Sequence, residues 1–196
     1  MTHILRIDSS IKGAASVSHK LLDRAEDKLT TAHPDADVVT RDLSSGVPAI
    51  DGNWIAAVFT PAESRSAAQA EIAAYSDALL AEVRAADILL IGLPVYNFGV
   101  PGQLKAWLDH LARKGETFQY TETGPEGLLK GKRAIVAFTS DGTRFGSEVD
   151  FASGWVRHML GFLGITDVQF VHADQMVFDA EATLKAAEAQ VDALAA

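Results

Sequence analysis

The sequence contains no cysteine, which removes disulfide frameworks, thiolate nucleophiles, iron–sulfur clusters and cysteine-held zinc from consideration. A reducing, cytoplasmic setting is the expectation that fits. Basic residues are scarce as well: 17 Lys and Arg stand against 26 Asp and Glu, a formal net charge of −9. A phosphate backbone or an anionic membrane rewards clustered cations, and no basic run occurs, so neither nucleic acid nor a membrane is an expected partner. Long apolar runs are also missing. None approaches the ~20 residues of a membrane span, and Arg6 and Asp8 interrupt the stretch where a signal peptide would need an apolar segment. The six histidines, at 3, 19, 33, 110, 158 and 172, show no metal-ligand spacing, and no metal is assigned. No Gly-x-Ser-x-Gly elbow is present, and Gly127 to Lys132 is too short between glycines for a phosphate-binding P-loop.

What is present is an alternation of short β-branched runs with longer helical patterns. Hydrophobic residues make up 48% of 196 positions, enough for one compact domain spanning 1–196. Strands are predicted at 3–7, 37–43, 88–95, 132–139 and 167–173, and helices near 16–29, 64–86, 102–112, 148–163 and 180–194. The continuous apolar run Ile88-Leu89-Leu90-Ile91 implies a central strand covered on both faces. Residues 44–62, with Gly46, Pro48, Gly52 and Pro61, read as a surface excursion holding a short helix around Trp54 to Val58. The expected architecture is α/β, a doubly wound five-stranded parallel sheet flanked by helices.

In such folds a ligand binds beyond the carboxyl ends of the strands, where strand order reverses, and this directs attention to three loops. The first, Asp8 to Ser18, carries four hydroxyls and opens onto a helix N-terminus, a setting that suits a phosphate monoester. It also fits a plain cap at Ser16 with turn residues before it. The second, Pro94 to Lys105, holds two prolines and two glycines and leaves Tyr96, Asn97 and Phe98 at the sheet edge, as a planar heteroaromatic ring requires. Tyr96 and Phe98 equally suit core positions at a strand end. The third, Thr139 to Gly146, is flexible enough to approach a ring, yet Asp141-Gly142 also suits an ordinary turn.

Over essentially its whole length the chain resembles the FMN-dependent NADH azoreductase and NADH:quinone oxidoreductase family of the flavodoxin-like superfamily. The resemblance rests on Ser10 with Ser16-Val17-Ser18, Pro94 to Phe98, Phe118 to Glu122, Gly124 to Leu128 and Gly161 to Asp167. It implies an enzyme that binds FMN and transfers hydride from NADH or NADPH to quinones and azo compounds by a ping-pong mechanism, with no side chain assigned as a catalytic acid. By the same resemblance Ser10, Ser16, Val17 and Ser18 hold the FMN phosphate, while Val95, Tyr96, Asn97 and Phe98 hold the flavin ring. Ser140, Asp141, Gly142 and Thr143 hold its pyrimidine end. Val95 stands where Met is frequent, and Asp141-Gly142-Thr143 replaces a more usual Arg-Gly-Gly. A homodimer is expected, because residues 148–163 show two apolar stripes on one helix: Phe151, Trp155, Met159 and Phe162, and Val149, Val156, Leu160 and Leu163. The resemblance adds Tyr120 and Phe162 as walls of a substrate pocket at the subunit junction. The alternative is a flavodoxin-type electron carrier, although the first loop lacks the Thr-x-Thr-Gly-x-Thr style of phosphate loop that flavodoxins share.

Overall fold

The computed structural model describes residues 1–195. Five strands, β1 (His3–Asp8), β2 (Asp37–Asp42), β3 (Ile88–Pro94), β6 (Arg133–Thr139) and β7 (Asp167–Ala173), form one sheet in the order β2-β1-β3-β6-β7. Every pairing in it is parallel. Helices α1 (Val17–Ala32) and α6 (Ala180–Asp192) cover one face. Helices α3 (Ala67–Ala85), α4 (Gly102–Leu111) and α5 (Ser153–Leu163) cover the other.

Alternation along the strands divides the core accordingly. Ile4, Leu90 and Ile135 meet Leu21, Leu22 and Leu29 of α1 on one side. On the other, Leu5, Leu89 and Val136 meet Leu79 of α3, Trp107 of α4 and Leu160 of α5. β3 is buried at all seven positions, as its unbroken apolar run predicts. The chain runs from β1 outward to β2 and then returns to the far side of β1 for β3. Strand order therefore reverses between β1 and β3, which places the first two loops side by side.

Helix α2 (Gly52–Phe59) lies in the 44–62 excursion, started by Asp51, whose carboxylate accepts the Trp54 N–H at 2.8 Å. α3 begins at Ala67, later than the periodicity suggests, because Ser66 and Gln69 form a reciprocal capping box. Two other elements depart from expectation. Residues 118–127 form a hairpin of β4 (Phe118–Thr121) and β5 (Gly124–Gly127) that the sequence reading left unassigned. Its strands have four residues each: Phe118 to Thr121 alternates aromatic with polar residues over a run too short to announce a strand, and Gly124 to Gly127 shows no apolar alternation.

The helix expected over 148–163 starts only at Ser153. Asp150 accepts hydrogen bonds from the Gly146, Ala152 and Ser153 N–H groups, at 2.9, 3.1 and 2.9 Å, and these commit 146–152 to turns. Val149 and Phe151 consequently leave both proposed stripes and lie exposed ahead of the helix. Val156, Leu160 and Leu163 are buried in the sheet core, with Trp155, Met159 and Phe162 packed at its border. Within Ser153–Leu163 one stripe thus covers the sheet, while the other stays half-buried.

Candidate functional site

Beyond the carboxyl ends of β1, β3 and β6, the three loops are tied to one another by hydrogen bonds. Ser9 Oγ donates to the Gly92 carbonyl at 2.6 Å. The Tyr96 hydroxyl lies 3.3 Å from Ser10 Oγ and accepts the Ile11 N–H at 3.1 Å, so it fastens the first loop to the second. The Val95 N–H donates to the Thr139 carbonyl at 2.8 Å, which joins the second to the third. Within the third loop, Ser140 Oγ accepts the Thr143 N–H at 2.8 Å.

Asp174 fixes the outer end of the third loop. Its carboxylate accepts the Phe145 N–H at 2.8 Å and sits 2.9 Å from His172 Nδ1, while the His172 ring stacks on Phe145 with centroids 4.7 Å apart. Burial alone would raise the Asp174 carboxyl pKa, but the Phe145 N–H and His172 hold it below the ordinary value. The stability this gives is complete above the usual carboxylate range and is lost as pH falls through the depressed value.

A narrow cleft of about 30 Å³ runs between the first and third loops, lined by Ser10, Ser16, Val17, Val95, Tyr96, Ser140 and Asp141. An open groove of about 270 Å³ adjoins it, lined by Val95, Asn97, Phe98, Ser140, Asp141, Gly142 and Thr143. Eleven of the twelve residues assigned to a cofactor thus gather at one place. The twelfth, Ser18, is fully buried, and its hydroxyl lies 3.0 Å behind that of Ser16. Lys12, Pro94, Thr139 and Met176 also line the cleft. Lys12, Pro94 and Thr139 belong to the three loops, whereas Met176, beyond β7, carries no local signal in the sequence.

Two features make this cleft suited to a phosphate-bearing planar ligand. Ser16 caps α1 by accepting the His19 N–H at 3.2 Å, and among the described residues the Val17 and Ser18 N–H groups find no acceptor. Those amides and the Ser16 hydroxyl form a ready anion cradle at the positive end of a helix. The second loop turns through Asn97 and Phe98 at φ 49° and 68°, closed by Tyr96 and Gly99 bonding each other's backbone at 3.0 and 3.1 Å. Phe is strained in the left-handed region, by about 1–3 kcal/mol, and such strain collects where backbone is held ready for a ligand. Lys12 Nζ stands 3.8 Å from the Asp141 carboxylate across the mouth, both side chains largely exposed.

Tyr120 and Phe162 are not part of this cleft. They share an aromatic cluster with Phe118, at centroid distances of 5.7 and 4.6 Å from its ring. The hairpin carrying Tyr120 is bound to the ends of α3 and α5. Arg84 donates to the Glu116 carbonyl at 3.1 Å, and the Leu129 N–H to that of Leu163 at 2.9 Å. Both helices end just before β3 and β7 begin. The cluster therefore lies at the amino end of the sheet, opposite the three loops.

The fold and the cleft define a doubly wound α/β protein with free helix-start amides opening onto a cleft at its topological switch point. The family model described as "Flavodoxin-like fold" matches residues 2–195. An FMN-dependent NADH:quinone oxidoreductase of Cereibacter sphaeroides (strain KD131) is 65% identical over 100% of both chains, and FMN-dependent NADH:quinone oxidoreductase 1 of Jannaschia sp. is 57% identical over the same extent. Among solved structures, an FMN-dependent NADH-azoreductase from Bacillus anthracis in complex with FMN is 28% identical with a TM-score of 0.88, over 98% of this chain and 96% of that one. The chain belongs to the flavodoxin-like family of FMN-dependent NADH:quinone oxidoreductases. None of the described helices is long and apolar enough to cross a membrane.

Proposed function

We propose that this protein is an FMN-dependent oxidoreductase that passes hydride from NADH or NADPH to quinones and azo compounds by a ping-pong mechanism. In this reading it is a single FMN-binding domain over residues 1–196, works as a cytoplasmic homodimer, and is not a flavodoxin-type carrier. The observation that carries the activity is the 65% identity, along the full length of both chains, to an FMN-dependent NADH:quinone oxidoreductase.

The residues present fit FMN. Ser10, Ser16 and the free amides of Val17 and Ser18 would hold its phosphate, Val95 to Phe98 its ring, and Ser140 to Thr143 the pyrimidine end. Bound there, FMN supplies a two-electron carrier able to take hydride from a nicotinamide and yield it to an acceptor. The chain's own part is to present backbone donors along the second and third loops, where they can stabilise negative charge without reorganising. No side-chain acid is required, since the products can take protons from water.

The separation of Tyr120 and Phe162 from the loops also supports the dimer. One chain cannot place both ends of its sheet at one pocket. A second copy, turned end for end, would bring Tyr120 and Phe162 against the first copy's loops. Tyr120 at 65% exposure and Phe151 at 65% are suited to that contact.

The test begins with flavin released by acid or heat, which should be FMN. A protein that stays colourless with excess FMN would remove the proposal. Steady-state rates with NADH, NADPH, a quinone and an azo acceptor should give parallel reciprocal plots, and light scattering at micromolar concentration should give twice the chain mass. Ser16→Ala should weaken FMN binding by about 1–3 kcal/mol, the scale of a hydrogen bond to a charged group. Ser18→Ala should cost less, because its hydroxyl reaches the cleft only through Ser16. Unchanged FMN affinity in Ser16→Ala would reduce that residue to a cap.

Asp141→Asn is expected to raise the flavin midpoint potential by about 10–20 mV, since a nearby carboxylate disfavours the more negative reduced state. The pairing with Lys12 and solvent keep the effect small. Spectroelectrochemical titration that showed no shift, or a fall, would defeat the charge argument.

A further inference from the structure

At the amino end of the sheet, beside the hairpin, a cavity of about 400 Å³ opens among residues 58–65, 77–84 and 113–116. Its lining mixes apolar residues, Val58, Phe59, Pro61 and Leu80, with the charged Arg65, Arg84, Arg113, Lys114, Asp77 and Glu116. Four cations against two carboxylates leave an excess of two positive charges, in a chain whose net charge is −9.

The two carboxylates are already shared. Asp77 pairs with Arg65 at 2.7 Å and also with Arg113. Glu116 pairs with Arg84 and lies 3.9 Å from Arg113. Burial alone would raise the Asp77 carboxyl pKa, and the Arg113 and Arg65 guanidiniums hold it below its ordinary value. The Ala57 and Thr60 carbonyls at the end of α2 take the Arg65 Nε–H. Among the described residues Arg113 Nε is buried with no acceptor, and Lys114 forms no ion pair.

The side chains of Arg65 and Arg113 are only 6% and 4% exposed. Asp77 and Glu116 balance these two buried guanidiniums, so the excess charge falls to Arg84 and Lys114, both exposed at the cavity's mouth where an incoming anion would meet them. Lys114 Nζ stands 5.9 Å from the centre of the Tyr120 ring, so the cavity and the aromatic cluster are neighbours.

We propose that this cavity is an anion subsite for the pyrophosphate of the nicotinamide donor. The inference rests on the dimer reading above, in which Tyr120 of one copy meets the flavin loops of the other and carries the adjoining cavity to the rim of that site. A pyrophosphate diester brings two negative charges, which match the excess. The apolar residues of the lining would receive a flat base, and the volume falls within the range of small-molecule sites. A free inorganic anion would have no use for them.

ADP is the probe, titrated calorimetrically into FMN-saturated enzyme. It should bind, and Lys114→Gln and Arg84→Gln should each weaken it and raise KM for NADH about tenfold, the loss of one charge-assisted contact. FMN affinity and KM for an uncharged quinone should stay as in the wild type. Two variants are used because Arg84 also anchors the hairpin, whereas Lys114 has no ion pair to lose. Absence of ADP binding at millimolar concentration, or variants that bind it as the wild type does, would overturn the subsite. So would a rise in KM confined to a sulfonated azo acceptor, which would assign the cations to the acceptor. Variant-sensitive ADP binding by a protein that light scattering finds monomeric would overturn the assignment to the donor through the dimer reading, since one chain holds the cavity and the flavin loops at opposite ends of its sheet.

Discussion

Gly127→Ala should destabilise the protein by at least ~3 kcal/mol, an overpacking cost at the top of the usual range. A methyl at 127 would fall 2.1 Å from the Gly164 nitrogen and 2.4 Å from both its Cα and the Leu163 carbonyl carbon. All three are backbone atoms, so no rotamer change relieves the clash. Gly164 is itself fixed, since it ends α5 in the left-handed region at φ 107°. The hairpin must therefore move, losing the Leu129 to Leu163 bond of 2.9 Å and the packing of Phe118 on Phe162. Thermal unfolding should show Tm lower by about 6–12 °C for a chain of this size, while FMN binding at the opposite end of the sheet persists. A variant melting within about 1 °C of the wild type would show that the two glycines are not in contact in solution.

The Arg6→Met substitution should cost about 3–5 kcal/mol, the scale for removing one partner of a buried ion pair. Arg6 lies on β1 with its side chain 10% exposed. Its Nε donates to both Asp8 oxygens at 3.0 and 3.2 Å, and its Nη1 reaches Asp23 at 2.6 Å and Glu26 at 3.0 Å on α1. Burial alone would lower the guanidinium pKa, but the hydrogen bonds to the three carboxylates raise it above its ordinary value.

Without Arg6, Asp23 recovers water easily at 61% side-chain exposure, whereas Asp8 at 12% does not. The uncompensated Asp8 is therefore the main cost, and Arg6→Met with Asp8→Asn should recover part of the loss. Asp8 immediately precedes Ser9 and Ser10, so FMN affinity should fall with stability in the single variant. Urea unfolding at neutral pH gives the measurement. A loss below about 1 kcal/mol would mean that the network is as weak as an exposed pair.

The sheet, its order of elements and the three loops could be read from the sequence because they are encoded locally. Apolar periodicity separates strand from helix within a dozen residues, and the continuous apolar β3 identifies itself as central. The capped helix start with its free amides was legible for the same reason, since Ser16 to Ser18 and the helix they start are adjacent in the chain. The hairpin was not, because each strand has only four residues, the second of them without alternation, and its order comes from contact with α5. The motif stretches Gly124 to Leu128 and Gly161 to Asp167 were both noted, but their mutual contact, with no room for a Cβ at 127, is a fact of packing.

By itself the sequence determined the fold class, the exclusion of thiol chemistry and the residue types gathered in each loop, since residue type and short-range spacing suffice for those. Tertiary structure alone decided that the Tyr96 hydroxyl ties the first loop to the second, that Asp150 delays α5 and strips Val149 and Phe151 from its stripes, and that Tyr120 and Phe162 lie at the end of the sheet away from the cleft. Each of these depends on groups brought together through space, and periodicity along a chain holds no record of which distant backbone a side chain will meet.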